Sequence, residues 1–186
     1  QLFNWNWRNY EILIEAEIGN EFITDGRKTV VRNVRPLRII EQWNEAILRL
    51  FSADCAERVL HLFEKHNPDD LCPRQAIQAA RDFARGLIDD TALETAYEAA
   101  SYSCWSSVRA APCAARAAWY TTAVSGFGVA DGRSVSDFGN VAREAAIEAL
   151  CAAGASGKTG KDSDAAWEAE RQWQLQRLSF YLGLTP

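Results

Sequence analysis

The sequence predicts a mainly α protein: a multi-helix bundle preceded by a small N-terminal antiparallel β element. Three observations lead there. Cys55 to Gly86 reads as two amphipathic helices with their start and stop signals in place. Alanine, the best helix former, dominates the middle of the chain. Only residues 10–35 carry the period of two that belongs to strands. At 186 residues the chain suits one domain. The expected division is a β hairpin element over 1–36 and an α-helical bundle over 37–186.

In the β element, Tyr10 to Ile18 alternates apolar Ile12, Ile14, Ala16 and Ile18 with other residues, although Glu and Ala there also tolerate a helix. Gly19-Asn20 signals a turn, and Glu21 to Thr24 reads as a second strand. Asp25-Gly26 matches a two-residue hairpin turn before Arg27 to Val34. Two or three strands are expected. Arg27, Lys28, Arg32, Arg35 and Arg38 make the region locally basic, as on a solvated strand edge guarded by charge.

From Leu37 the pattern turns helical. Ile39, Ile40, Trp43, Ile47, Leu50 and Phe51 form a stripe that either runs into the next helix or breaks at Ser52. Cys55, Val59, Leu62 and His66 continue at helical spacing, widened by Leu60 and Phe63, with Glu57, Arg58, Glu64 and Lys65 opposite. Asn67, Pro68, Asp69 and Asp70 end that helix. Pro73 restarts the chain at a first-turn position, and Gly86 closes the second helix in a left-handed conformation. Its face is Ala76, Ile77, Ala80, Phe83, Ala84 and Leu87.

Thr91 and Glu94 form a capping box for a helix through Leu93, Ala96, Tyr97, Ala100 and Cys104. Pro112 opens another through Ala115, Ala118, Trp119 and Val124. Loops are expected over Gly126–Gly139 and Gly154–Asp162, with a helix through Val141, Ile147, Leu150 and Cys151 between them. The last helix places Trp167, Arg171, Leu175, Leu178 and Leu182 on one face and Trp173, Arg177, Phe180 and Leu184 on another.

Composition narrows the function. With 48% hydrophobic and 24% charged residues, the chain is an ordinary globule. A net charge of -5 argues against direct nucleic-acid binding, which needs a basic face. Five cysteines without paired spacing predict free thiols and a reducing cytoplasm. No apolar run approaches a membrane span. Small alanine faces let helix axes approach to about 8 Å, leaving little interior volume for a substrate pocket.

Each candidate for chemistry has a plainer reading. Gly157-Lys158-Thr159 resembles the end of a phosphate loop, but Ala152 stands where the first glycine belongs and a helix precedes it. It reads as a polar loop. Gly126, Gly128 and Gly132 have the wrong spacing for a dinucleotide fingerprint. Cys55, His61, His66 and Cys72 lie five or six apart, so a helix points them away from each other rather than at one metal. Two histidines leave few bases for a nucleophilic triad, and no serine sits in an elbow context. Neither a catalytic residue, a metal nor a cofactor is expected. Of the seven tryptophans, Trp43, Trp119 and Trp167 fall on apolar stripes and read as core. Trp5, Trp7 and Tyr10 stand in a polar opening segment, either folded back on the bundle or exposed as an interface patch.

The hairpin carries a resemblance. Ala53 to Leu60 (ADCAERVL), then Leu62-Phe63-Glu64, then Arg74 to Arg81 (RQAIQAAR) and Ala84-Arg85-Gly86 resemble the immunity proteins of bacterial polymorphic-toxin systems. The alanine-rich middle and Glu170 to Leu178 are also similar, so the likeness covers most of residues 50–180 and leaves out the β element. It implies an all-helical, non-catalytic inhibitor. Relatives often place histidines where this chain reads Ala117 to Thr122, so any ligand role for them is lost here.

The expected function is therefore a protein-binding inhibitor that occludes a toxin such as a nuclease. The alternatives are a mobile-element inhibitor of a bacterial defence nuclease, and a small helical enzyme or nucleotide-sequestering protein using Arg58, Arg81 and Lys158. Partner contacts are expected at Glu57, Arg58, His61 and Arg81 and at Trp5, Trp7 and Tyr10. A homodimer is left open.

Overall fold

The computed structural model describes residues 13–24, 29–104, 110–123 and 138–184. Among these, four strands precede six helices, a mainly α architecture with a small antiparallel β element. The strands are β1 (Ile14–Ile18), β2 (Phe22–Thr24), β3 (Thr29–Val31) and β4 (Val34–Ile39). β1 pairs with β4 and β2 with β3, both antiparallel, so the chain goes out and back as one ribbon.

Two expectations change here. Gly19-Asn20 does not turn β1 back onto the next strand. The Gly19 amide instead donates to the Asn33 carbonyl across the ribbon at 3.0 Å. Leu37 to Ile39 are strand rather than the start of a helix, because β1 supplies cross-strand partners in Glu15 for Arg38 and Ile14 for Ile39. The arginines of the ribbon are solvent-exposed, as on a charge-guarded edge, and ion-paired. Arg32 pairs with Glu21 at 3.1 Å, Arg38 with Glu15 at 2.6 Å, and Arg35 with Glu17. Arg27, Lys28 and the Asp25-Gly26 turn lie outside the described residues.

Ile40, 3% exposed, seats the ribbon's base against the helices. α1 (Glu45–Glu64) then starts at Asn44, whose side chain accepts from the Ile47 amide at 3.1 Å. It runs unbroken through Ser52, whose hydroxyl donates to the Leu48 carbonyl one turn back at 2.7 Å. α2 (Cys72–Ala84) carries Pro73 in its first turn and ends at Gly86 with φ 71°. α3 (Asp90–Ser103) is capped by Asp89, which accepts from the Ala92 amide at 2.9 Å. Thr91 lies inside the first turn instead of capping it, since the carboxylate two residues earlier already serves those amides.

α4 (Ala110–Thr121) contains Pro112 near its start, and Val124 lies outside the described residues. α5 (Phe138–Ala155) and α6 (Gly160–Tyr181) complete the bundle. The expected loops shrink: Phe138 and Gly139 are helical, as is Gly154, leaving only 156–159 between α5 and α6.

α1 is the central helix and touches α2, α4, α5 and α6. Ala53 and Ala56 of α1, Ala114, Ala115, Ala117 and Ala118 of α4, and Ala145, Ala146 and Ala149 of α5 are fully buried. With methyl groups alone at these contacts the helices close-pack, and Phe51, Leu60 and Phe63 fill the rest. Arg49 is 1% exposed, a buried charge in the core. Its guanidinium donates to Glu45 at 2.8 Å and to the Thr121 carbonyl at 3.0 Å, and lies 4.9 Å from the Phe83 ring centre.

Candidate protein-binding face

Asp54, Glu57, Arg58 and His61 recur on α1 at spacings of three and four, which places them in one row. The row faces α2 on one side and α6 on the other. Asp54 is its anchor. One carboxylate oxygen accepts from Arg81 Nη2 of α2 at 2.7 Å, and the other accepts from Arg177 Nε at 2.6 Å and Tyr181 OH at 2.7 Å, both of α6. Burial pushes the Asp54 carboxyl up, but the bonds from Tyr181, Arg81 and Arg177 outweigh it and hold the group below its ordinary value. The Tyr181 hydroxyl is pushed up to about 12, by burial and then by donating to that carboxylate.

Arg81 also donates to Glu57 Oε2 at 2.7 Å, and this bond lowers the Glu57 carboxyl. The Arg81 side chain is 17% exposed, whereas that of Glu57 is 50% exposed. Arg81 thus works inside the fold, holding Glu57 at the surface.

The second half of the row meets α6 differently. Arg58 Nε donates to Glu170 Oε2 at 2.6 Å, and its guanidinium lies 4.6 Å from the Trp173 ring centre. Glu170 is 4% exposed. Its other oxygen accepts from Gln174 Nε2 at 3.1 Å, which also donates to the Ala146 carbonyl at 3.0 Å. The inward row of α6 is therefore Glu170, Gln174, Leu178 and Leu182, at steps of four. That corrects the expected stripe at its N-terminal end: Trp167 is 41% exposed, and the inward positions are taken by Glu170 and Gln174.

Beside this contact lies a surface groove of about 290 Å³ between α1, α5 and α6. Val59, Leu62, Ala153, Ala166 and Ala169 give it an apolar floor, and Arg58, His61 and Glu170 give it a charged side. Its volume sits just below the usual range of small-molecule sites, roughly 300–1,000 Å³, and suits one side chain of a partner. His61 is exposed. Its Nδ1 lies 3.1 Å from the Arg58 carbonyl, an obligate acceptor, so that nitrogen carries the proton and Nε2 faces outward as an acceptor when the ring is neutral.

Sequence reasoning found Arg58 and His61, which the groove brings together, and missed Glu170 and Gln174. Their signal was present as a polar i, i+4 pair continued by Leu178 and Leu182. Trp5, Trp7 and Tyr10 lie outside the described residues. Lys158 is exposed on the short α5–α6 connection, away from Arg81's internal contacts. The phosphate-loop look-alike has a structural role: Thr159 caps α6, accepting from the Asp162 amide at 3.2 Å. A Cβ at Gly157 would fall 2.5 Å from the Ser163 nitrogen, so only glycine fits that turn.

The cysteines are poor nucleophiles. Burial pushes Cys55 well up, Cys104 to about 12 and Cys113 to about 11, and it raises Cys72 and Cys151 as well. Among the described residues, no group of three or more His, Cys, Asp or Glu is placed to hold a metal ion. None of the described helices is long and apolar enough to cross a membrane.

Residues 38–127 match the family model described as Imm-5 like putative immunity protein. The match contains α1 to α4, and with them the hairpin motifs and Glu57, Arg58, His61 and Arg81, so it bears out the resemblance they carry. It starts at the end of β4 and stops before α5, so the likeness of Glu170 to Leu178 rests on the motif alone. Neither a curated protein nor a solved structure matches the chain.

Proposed function

With an immunity-protein match over residues 38–127 as the premise, we propose that this chain neutralises a toxin protein by binding it and covering its working surface. The match carries the reading, since immunity proteins act by binding a toxin and not by chemistry of their own. The contact face is the exposed row of α1, where Arg58 and His61 border the groove and Glu57 stands beside them toward α2. An apolar floor of about one side chain's volume, flanked by fixed charges, is the anatomy of an interface hot spot with its polar rim. Asp54 and Arg81 serve this face from within by fixing the helices that present it. A net charge of -5 favours a basic target such as a nuclease toxin and would speed encounter with it. A stable complex needs an interface of about 1,600 Å², larger than the groove, and the Trp5, Trp7 and Tyr10 segment is the second contact.

His61 is the clean probe, because among the described residues its side chain bonds only to the Arg58 carbonyl of its own helix. Against a toxin encoded beside this chain's gene, His61→Asp and Ala169→Glu, both at exposed positions lining the groove, should each weaken binding at least about tenfold, or about 1.4 kcal/mol, with thermal unfolding unchanged. Wild-type affinity in both variants would remove this face from the interface. Failure of the wild type to bind or inhibit that toxin would defeat the reading itself. Stabilisation by a nucleotide would favour the ligand-sequestering alternative instead.

A further inference from the structure

The two faces of the β1–β4 ribbon differ in chemistry. Cross-strand register puts Ile14 opposite Ile39, Ala16 opposite Pro36 and Ile18 opposite Val34 on one face. Glu15 and Glu17 meet Arg38 and Arg35 on the other, where the ion pairs complete the surface. The apolar face is open: Ile14, Val34 and Ile39 are 49%, 57% and 59% exposed. Leu37, the extra residue at the register shift, is 52% exposed. The root of the ribbon is fixed, with Ile40 buried and Leu13 packed on the core. A two-stranded ribbon is marginally stable by itself and normally buries one face.

We propose that this face is a self-association surface: two copies stack the apolar sides of β1 and β4 about a two-fold axis, making a four-stranded sandwich. Charge selects the second copy over a charged partner. Among the described residues, Glu15, Glu17 and Glu21 pair with Arg38, Arg35 and Arg32, so the ribbon's charges are matched locally and present no single-sign surface to an oppositely charged partner. An apolar face is complementary to itself, and a two-fold contact uses the same patch on both copies. Area agrees. Half-exposed aliphatic side chains leave on the order of 100 Å² each, so Ile14, Val34, Pro36, Leu37 and Ile39 offer about 500 Å² per copy. Two copies together reach about 1,000 Å², the least a specific interface is expected to bury, as suits a weak, concentration-dependent dimer. Apart from Ile39 the contact precedes residue 38, where the immunity-protein match begins, and none of its residues lines the α1–α6 groove.

Sedimentation velocity of the full chain tests this over about 1–100 µM. The expected result is a species of twice the 20.7 kDa chain mass that grows with concentration. Val34→Asp and Ile39→Asp should each yield monomer with unchanged helical circular dichroism, while Glu17→Gln, on the paired face, should remain dimeric. Hydrogen exchange of the wild type supplies an independent reading, with amides of 14–18 and 34–39 gaining protection as concentration rises. A monomeric wild type, dimers that survive both aspartates, or ribbon exchange independent of concentration would each overturn the proposal.

Discussion

Removing the Asp54 carboxylate tests the polar knot that ties α1 to α2 and α6. Asp54→Ala takes an acceptor from three donors at once: Arg81, Arg177 and Tyr181, now at 2.7, 2.6 and 2.7 Å. Breaking a buried ion pair by deleting one partner costs about 3–5 kcal/mol. Two features move the expectation to the low end. Arg81 keeps Glu57, and the Arg177 side chain is 37% exposed and regains water. We expect a loss of about 3 kcal/mol, a large share of the stability of a single domain. In urea, with a slope of about 2 kcal/mol/M, the midpoint should fall by about 1.5 M. The thermal midpoint should fall by roughly 6–12 °C. Tyr181→Phe removes one donor and should cost about 1 kcal/mol. In a double-mutant cycle, Asp54→Ala and Arg81→Ala should couple by at least about 0.5 kcal/mol. A loss below about 1 kcal/mol for Asp54→Ala, or strict additivity in the cycle, would refute the knot as a stabilising device.

Other outcomes follow from the same geometry. Because the folded-state Asp54 carboxyl is held below its ordinary value of about 3.9, its contribution is full above that pH and is lost as pH falls through the folded value. The stability gap between wild type and Asp54→Asn, measured by urea titration from neutral pH downward, should therefore close below about pH 4. A gap that widened in acid would reverse the assignment. Gly86→Ala meets no atom within 4 Å, so its whole cost is the left-handed backbone at φ 71°, about 1 kcal/mol by chemical denaturation. Iodoacetamide at mildly alkaline pH, mapped by peptide mass, should modify exposed Cys151 first, and reach buried Cys55 and Cys104 only in denaturant. Fast native labelling of Cys55 would contradict the packing of α1.

Much of the fold was legible because its signals are local. The hairpin of α1 and α2 is signalled by Pro73, Gly86 and a 3.6-residue stripe, and it forms as expected except at the helix ends, where His66 and Leu87 lie past the last turns and are exposed rather than part of the apolar faces. The errors came where two local options were close and a distant segment chose. Leu37 to Ile39 fit a helical pattern, but β1, some twenty residues earlier, offered Arg38 and Ile39 cross-strand partners. Thr91 made a plausible cap until Asp89 was seen to hold the Ala92 amide. On α6, apolar residues were read as inward, and Glu170 and Gln174 went inward instead. Their partners, Arg58 and the Ala146 carbonyl, lie on other helices.

The site divides in the same way. His61 and Arg58 were recognisable as polar residues on the outer side of an amphipathic helix, since that depends only on their spacing along α1. Sequence alone determined the helical class, the β element before it, the hairpin with its family motifs, and the row of charges along one helix. Tertiary structure decided which of those charges remain available to a partner. Arg81 turned inward to Asp54 and Glu57, and Arg58 was matched to a glutamate 112 positions away. A charge is indifferent to its neighbours in the chain once the backbone folds. Its availability depends on which opposite charge packing brings within about 3 Å, and that choice is made between elements distant in sequence.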